Sequence, residues 1–229
     1  QCIQNGLFFY LLMFFPYKDD NPRVLVPYVT YGILGLNILV FLGQILVSFS
    51  DPDLGIAVVF TFGFVPAEFN VITIITSMFI HGGLAHIVGN MWFLWLFGDN
   101  VESVLGHLKY FMFYMVCGIG AALGQFLISP SSQVPMIGAS GAIAGILGAY
   151  MIQFPKARVH ILVIFIFITT IAVPAQIVLG LWFLMQLTGG LGTLGVDTTG
   201  GVAWFAHVGG FISGVGLLRR FQNLRLEIR

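Results

Sequence analysis

Long apolar segments alternate with short polar ones along most of this chain of 229 residues. A helix needs about 20 mostly apolar residues to cross the roughly 30 Å hydrocarbon core of a bilayer. Clear candidates are Val29–Val47, a stretch that ends at Phe97, Tyr110–Ile128 and Val202–Leu218. Ser140–Phe154 is apolar but short, and His160–Leu187 is long and interrupted by Pro174. Two further apolar pieces, Leu7–Tyr17 and Leu54–Phe64, are too short to cross comfortably. The pattern therefore predicts a bundle of transmembrane helices.

The composition excludes several other classes of protein. Hydrophobic residues make up 58% of the chain and charged residues 8%, against roughly 25% charged in an ordinary soluble domain. A disordered chain would have few apolar residues, and a disulfide scaffold would have more than the two cysteines, Cys2 and Cys117. No basic patch is present, so binding of nucleic acid by charge is excluded. We therefore expect an all-α polytopic membrane protein whose main partner is the lipid bilayer.

The basic residues predict how the helices cross the membrane. Loops rich in Lys and Arg stay on the cytoplasmic side, and the loop between the first two spans has neither residue. All basic residues fall on the cytoplasmic side if Val159–Gly189 crosses the membrane once. Pro174 would then break or kink this helix, or end a cytoplasmic segment that precedes it. This predicts six spans with both termini cytoplasmic, in a plasma (inner) membrane. The basic residues are Lys18, Arg23, Lys109, Lys156, Arg158, Arg219, Arg220, Arg225 and Arg229.

This topology divides the chain into three parts. Residues 1–28 form a cytoplasmic or interfacial N-terminal segment, residues 29–221 form the six-helix domain, and residues 222–229 form a cytoplasmic tail. We assign no function to Gln1–Leu12.

Ser140 is a polar residue at the start of a short apolar helix. Fifteen residues from Ser140 to Phe154 span about 22 Å, so with Lys156 at the inner surface the helix stops roughly 8 Å below the outer face. Backbone N–H groups and the helix dipole point at that position. The alternative is close helix packing through Gly141, Gly145 and Gly148.

His207 begins the last span, within an Ala-His-Val-Gly-Gly sequence. Gly210 and Gly214 have the small-xxx-small spacing that lets two helices touch, so the helices of Ser140 and His207 are well suited to pack together. A neutral imidazole beside a serine accepts the hydroxyl proton and activates the nucleophile. The alternative is a histidine satisfied by a backbone carbonyl. Taken together, the pair predicts a Ser–His dyad. Asp197 is the one carboxylate nearby, so a third member is not evident.

His86 and Asn90 lie four residues apart, about 40° around one helix face. With the Ser140 backbone N–H they could stabilise the oxyanion that develops during acyl transfer. The alternative is interhelical hydrogen bonding, worth about 0.6–2 kcal/mol. The chain has no HExxH motif and Glu68 is the only nearby carboxylate, so we expect no metal site. Acyl transfer by a serine requires no cofactor, and we expect none.

Three motifs in this order resemble the rhomboid family of intramembrane serine proteases. They are His81-Gly-Gly-Leu-Ala-His86-Ile-Val-Gly-Asn90, Gly138-Ala-Ser140-Gly141 and Ala206-His207-Val-Gly-Gly210. The resemblance implies a six-helix bundle, with Ser140 as nucleophile, His207 as base, and His86 and Asn90 at the oxyanion. It also implies a membrane-embedded first outer loop over Ser48–Gly83, and a fifth helix bordering a lateral gate near Trp182 and Phe183.

The chain departs from the family pattern at two places. Many relatives carry Trp-Arg in the first loop, where this chain has Val71-Ile72-Thr73-Ile74. Relatives often carry an aromatic residue one turn after the serine, where this chain has Ala144. Neither change removes a catalytic group, but the loop must be anchored in another way.

The sequence thus predicts an intramembrane serine endopeptidase whose partners are transmembrane protein substrates. One alternative is a non-proteolytic chaperone or degradation factor on the same fold. A less favoured alternative is a transporter, which would show paired repeat halves with broken helices.

Overall fold

The computed structural model describes residues 14–22, 24–164, 168–194 and 202–224. This part of the chain is mostly helical. Its α-helices are α1 Tyr28–Ser50, α2 Pro52–Phe62, α3 Val71–Thr76, α4 Leu84–Leu105, α5 His107–Ile128, α6 Ser140–Gln153, α7 Ala175–Thr193 and α8 Trp204–Asn223. Its strands are β1 Phe14–Asp19, β2 Arg158–Ile164 and β3 Ile168–Pro174. Short 3₁₀ turns occupy Pro66–Glu68 and Ser77–Phe79.

Several helices have the length and hydropathy of membrane spans. Within the described residues α1, α5 and α7 qualify, and a fourth span results if Val71–Phe79 and Leu84–Leu105, which meet at 90°, are counted together. Two apolar helices are shorter, α2 with 11 residues and α6 with 14. The chain is therefore a multi-pass, membrane-embedded protein.

A three-stranded antiparallel sheet departs from the all-α prediction. Its strand order is β1-β2-β3, so a strand from the N-terminal segment pairs with a hairpin 140 residues further along. Val, Ile, Thr and Phe dominate Val159–Val173, and these residues favour strands. Pro174 then ends β3 and directly precedes α7. Among the described residues of the predicted span His160–Leu187, the part after Pro174 is therefore helical and the part before it is not.

The boundaries of other predicted segments also change. The second span continues past Phe97 to Leu105, and Gly106 ends it with φ +75°. The apolar piece Leu54–Phe64 largely forms α2, whose first N–H groups are capped by the Asp51 side chain. The first 13 residues lie outside the described part.

Helix α6 lies at the centre of the bundle, and every residue from Gly141 to Tyr150 is buried. It contacts α4, α5, α7 and α8. A Cβ on Gly210 would overlap the carbonyl oxygen of Gly141, and a Cβ on Gly214 would overlap that of Gly145. The backbones of α6 and α8 therefore touch through glycines, as the small-xxx-small spacing predicts.

Hydrogen bonds to the fully buried Glu102 hold the start of α1 against α4. The carboxyl oxygens of Glu102 accept bonds from the backbone N–H groups of Val29 (2.9 Å) and Thr30 (2.8 Å), and from the Thr30 hydroxyl (2.7 Å). Since the first N–H groups of a helix have no partner within it, Glu102 acts as the cap of α1 from another helix. His107 Nδ1 lies 2.6 Å from the same carboxyl group.

Candidate active site

Ser140 and His207 come together where α6 and α8 both begin. Ser140 is the first residue of α6, and His207 is in the first turn of α8. Ser140 Oγ lies 2.8 Å from His207 Nε2, which is hydrogen-bonding distance. Both residues are partly exposed. The glycine contacts between the two helices fix this distance, because they set how closely the backbones approach.

The second nitrogen of His207 has a partner that the sequence did not predict. Gln186 on α7 places Oε1 2.7 Å from His207 Nδ1, and Gln186 is only 6% exposed. A lone glutamine in the apolar run from Leu179 to Leu187 was the available signal, because polar groups inside spans are usually functional or face the bundle. Asp197, the nearby carboxylate noted in the sequence, lies outside the described residues.

An aromatic ring lies beside the imidazole, but it comes from an unexpected helix. The ring centroids of Trp182 and His207 are 5.9 Å apart at 40°, and Phe183 stacks on Phe211 at 4.6 Å. Relatives often supply an aromatic ring from the position of Ala144 on α6, whereas here Trp182 on α7 places a ring beside His207.

His86 faces the segment that leads into Ser140. The Gly82 N–H donates to His86 Nδ1 at 3.2 Å, so Nδ1 is an acceptor and Nε2 carries the proton of a neutral ring. A Cβ on Gly138 would come 2.7 Å from His86 Nε2 and 3.7 Å from Ser140 Oγ. Gly138 also has φ +112°, which favours glycine. An Nε2–H donor and the serine hydroxyl therefore border the same small space.

Asn90 uses one amide N–H within its own helix. Its Nδ2 donates to the His86 carbonyl oxygen at 2.8 Å, and the residue is 7% exposed. Among the described residues no hydrogen bond joins Asn90 to Ser140. An amide has two N–H donors, so a second one remains for another acceptor.

Backbone hydrogen bonds attach the first loop to the segment before Ser140. Phe64 and Met136 exchange two bonds, of 2.9 and 2.8 Å. The Gly138 N–H donates to the Ser77 carbonyl at 2.8 Å. These bonds fix the position of Gly138, and hence of the Ser140 backbone, independently of side-chain identity.

His81 is held by a glutamine on α1. Gln44 Oε1 accepts from the His81 N–H at 3.0 Å, and Gln44 Nε2 donates to the His81 carbonyl at 3.2 Å. The His81 ring lies 5.2 Å from that of His86, edge to face. His81 precedes α4 rather than lying on it. Gln44 thus provides one anchor for a loop that lacks the Trp-Arg pair.

A serine hydroxyl hydrogen-bonded to an imidazole can be activated as a nucleophile, and a histidine N–H donor beside it can stabilise an oxyanion. The rhomboid domain family matches residues 68–221, which is more than half of the chain. The chain belongs to the rhomboid family, and the resemblance read from its motifs is confirmed.

Named relatives share about 30% identity with this chain. Rhomboid protease GluP of Bacillus subtilis (strain 168) is 30% identical over 141 residues, covering 62% of this chain and 24% of the relative. Rhomboid protein 1, mitochondrial, of Saccharomyces cerevisiae is 31% identical over 153 residues, covering 65% and 42%. RHOMBOID-like protein 6, mitochondrial, of Arabidopsis thaliana is 30% identical over 147 residues, covering 62% and 40%. The matches thus span less than half of each relative. The family includes serine proteases.

Proposed function

We propose that this protein is an intramembrane serine endopeptidase that cleaves transmembrane segments of other membrane proteins with a Ser140–His207 dyad. The observation that carries the proposal is the 2.8 Å contact between Ser140 Oγ and His207 Nε2 at the start of two closely packed apolar helices. Membership of a family that includes serine proteases supports the same activity.

The proposed reaction proceeds through an acyl-enzyme. Ser140 Oγ attacks the carbonyl carbon of the scissile peptide bond while its proton passes to His207 Nε2. The imidazolium then gives this proton to the leaving amine as the C–N bond breaks. A water molecule, deprotonated by the same nitrogen, attacks the ester, releases the acid product and restores the serine. His86 Nε2–H, the Asn90 amide and the Ser140 backbone N–H are the proposed donors to the oxyanion.

The proposed topology has six spans. They are α1, α4 with its lead-in, α5, α6, α7 and α8, in a domain over residues 29–221. The short α6 starts Ser140 below the membrane surface, and water reaches it from the outer side. Both termini are cytoplasmic by the positive-inside rule, in a plasma (inner) membrane. Two of the relatives above carry mitochondrial names.

Substrates would enter from the lipid beside α7, where Trp182 and Phe183 lie close to α8. A helix shields its carbonyl groups in hydrogen bonds, so it must unwind before it can be cut. We therefore expect cleavage near small or helix-breaking residues, since these lower the cost of unwinding.

The first test compares the wild type with Ser140→Ala in proteoliposomes that contain a single-span reporter protein. Cleavage should fall by more than about a thousandfold in Ser140→Ala, because the nucleophile is lost. Ser213→Ala is the matched control, since among the described residues its hydroxyl bonds to the Gly209 carbonyl within α8, and it should cleave like the wild type. Full cleavage by Ser140→Ala would exclude Ser140 as the nucleophile, whereas no cleavage by the wild type would favour the non-proteolytic alternative. Membrane proteomes of cells with either form would identify natural substrates.

Acidification gives an independent test of the base. Protonated His207 cannot accept the Ser140 proton, so the cleavage rate should fall as the pH is lowered. A rate that stays flat from about pH 8 to pH 4 would argue for another base.

A further inference from the structure

We propose that Gln186 is the positioning residue of the dyad: its side-chain carbonyl holds His207 in the tautomer and orientation that can accept the Ser140 proton. The inference rests on the proposed function and adds a third side chain to a site for which the sequence offered only two.

The geometry places Gln186, His207 and Ser140 in one chain of hydrogen bonds. Gln186 Oε1 lies 2.7 Å from His207 Nδ1, and His207 Nε2 lies 2.8 Å from Ser140 Oγ. Each of the three side chains comes from a different helix, α7, α8 and α6. The imidazole therefore bridges the nucleophile and the glutamine through its two opposite nitrogens.

The chemistry of the two nitrogens gives this chain a direction. A glutamine carbonyl oxygen can only accept a hydrogen bond, so His207 Nδ1 must carry the proton. In a neutral imidazole Nε2 is then the acceptor, which is the form that can take a proton from Ser140. An aspartate in the usual serine triad fixes the same tautomer. The neutral amide performs this task without placing a carboxylate among apolar helices.

Helix α7 holds the imidazole at two places. Trp182 and Gln186 are four residues apart and share a helix face, and Trp182 lies against the His207 ring. Gln186 is buried at 6% exposure, so water competes little for its carbonyl. Ring position is thus set by Trp182, and ring tautomer by Gln186.

The test uses the full chain in proteoliposomes and measures kcat, KM and the pH profile of kcat. Gln186→Leu should lower kcat about 10- to 100-fold and change KM less than about threefold, because it removes the carbonyl but not the packing volume. Gln125→Leu on α5 is the matched control: it is the same exchange, and within the described residues Gln125 Oε1 has no hydrogen-bond partner. This control should keep the wild-type kcat.

A second variant separates positioning from folding. Gln186→Glu keeps an acceptor of the same shape, so it should retain most of the kcat lost in Gln186→Leu. Its carboxylate should stabilise the imidazolium and move the acid limb of the kcat profile up by about one pH unit. Among the described residues, His86 on α4 is the titratable group that interacts with His207, and it is unchanged in both variants. Helices α6 and α7 contain no Asp, Glu, Lys, Arg or His.

The possible results separate this inference from the proposed function. Gln186→Leu with a kcat within twofold of Gln125→Leu would overturn the positioning role alone. So would a folded Gln186→Glu whose acid limb does not move, and this variant decides the question if Gln186→Leu does not fold. A wild type that neither cleaves the reporter nor reacts with a fluorophosphonate would overturn the proposed function, and this inference with it.

Discussion

The two ends of α6 differ in how completely the polar side chains around them are hydrogen-bonded. At the Ser140 end, hydrogen bonds run in a single chain from Gln186 through His207 to Ser140, and within the described residues no acceptor is bonded to His86 Nε2. At the Tyr150 end, the Tyr150 hydroxyl donates to Asp19 and accepts from Asn21 at 2.7 Å. The Asp19 carboxyl group also accepts from Asn100 at 3.0 Å.

This difference separates a site suited to reaction from one suited to stability. Buried polar groups that are all paired stabilise one arrangement, and removing a partner is costly. A catalytic site needs donors that are positioned but still available for the transition state. At the Tyr150 end the bundle has a paired polar network and the Glu102 cap of α1. At the Ser140 end it has hydrogen-bond donors that are not bonded to an acceptor among the described residues.

The largest effect is expected where the helix backbones touch beside the dyad. Gly210→Ala places a methyl group against the Gly141 carbonyl, so α8 must move away from α6 and carry His207 with it. We expect cleavage to fall about 100-fold, because small misplacements of reacting groups are costly. Gly216→Ala on the same helix is the control: its Cβ meets nothing within 4 Å, and it should cleave normally. Equal activity of the two variants would contradict the packing argument.

At the Tyr150 end, stability should suffer more than chemistry. Glu102→Ala removes the hydrogen-bond partner of the partly buried Val29 N–H and of the buried Thr30 N–H. The free energy of unfolding should fall by about 2–4 kcal/mol. Denaturation in detergent micelles measures the loss, and the cleavage rate of the protein that remains folded should stay close to that of the wild type. A stable but inactive Glu102→Ala would show that the two ends are not separable in this way.

The first loop should show an intermediate effect. Gln44→Leu removes both side-chain bonds to the His81 backbone, so the segment before α4 is less well held. We expect kcat/KM to fall about three- to tenfold, since the donors near Ser140 are less well aligned. Leu42→Ala, an exposed position on the same helix, serves as the comparison. An unchanged kcat/KM would mean that the backbone bonds at Phe64 and Ser77 are sufficient.

The smallest effect concerns the pH dependence of stability. Burial raises the pKa of Asp19 above its ordinary value, although the bond from Tyr150 lowers it in part. The folded protein then binds this proton more tightly than the unfolded chain does. Stability should therefore decrease as the pH rises from the ordinary range of an aspartate through the raised value. In Asp19→Asn this slope should disappear from thermal melts recorded between about pH 4 and pH 7. A slope of equal size in the variant would assign it to another group.

The sequence predicted the features that depend on short-range pattern. The length of the apolar segments predicted the ends of α1 and α5 to within three residues, and the glycine spacing predicted the contact between α6 and α8. The sheet was missed because the apolar run Val159–Val173 suits a strand or a span equally well when only its hydropathy is considered. Its pairing with Phe14–Asp19 is a long-range contact that no local pattern records.

Two site features also depended on tertiary structure. Gln186 and Trp182 lie on α7, which begins after Pro174, whereas the predicted span began at His160. That these two residues face His207 could therefore not be predicted from their spacing in the sequence. The two hydrogen bonds between the Gln44 side chain and the His81 backbone join residues 37 positions apart. For Gln186 and for Gln44, the sequence showed a polar residue within an apolar segment, but it did not show which residue would be its hydrogen-bond partner.

The most direct measurement of the central claim is the reaction of the full chain with a fluorophosphonate, located by mass spectrometry. The proposed pairing predicts one adduct on Ser140 in the wild type, and a labelling rate at least about 100-fold lower in His207→Ala, because the hydroxyl is then no longer activated. An adduct on another serine, or labelling of Ser140 at the same rate without His207, would contradict the account.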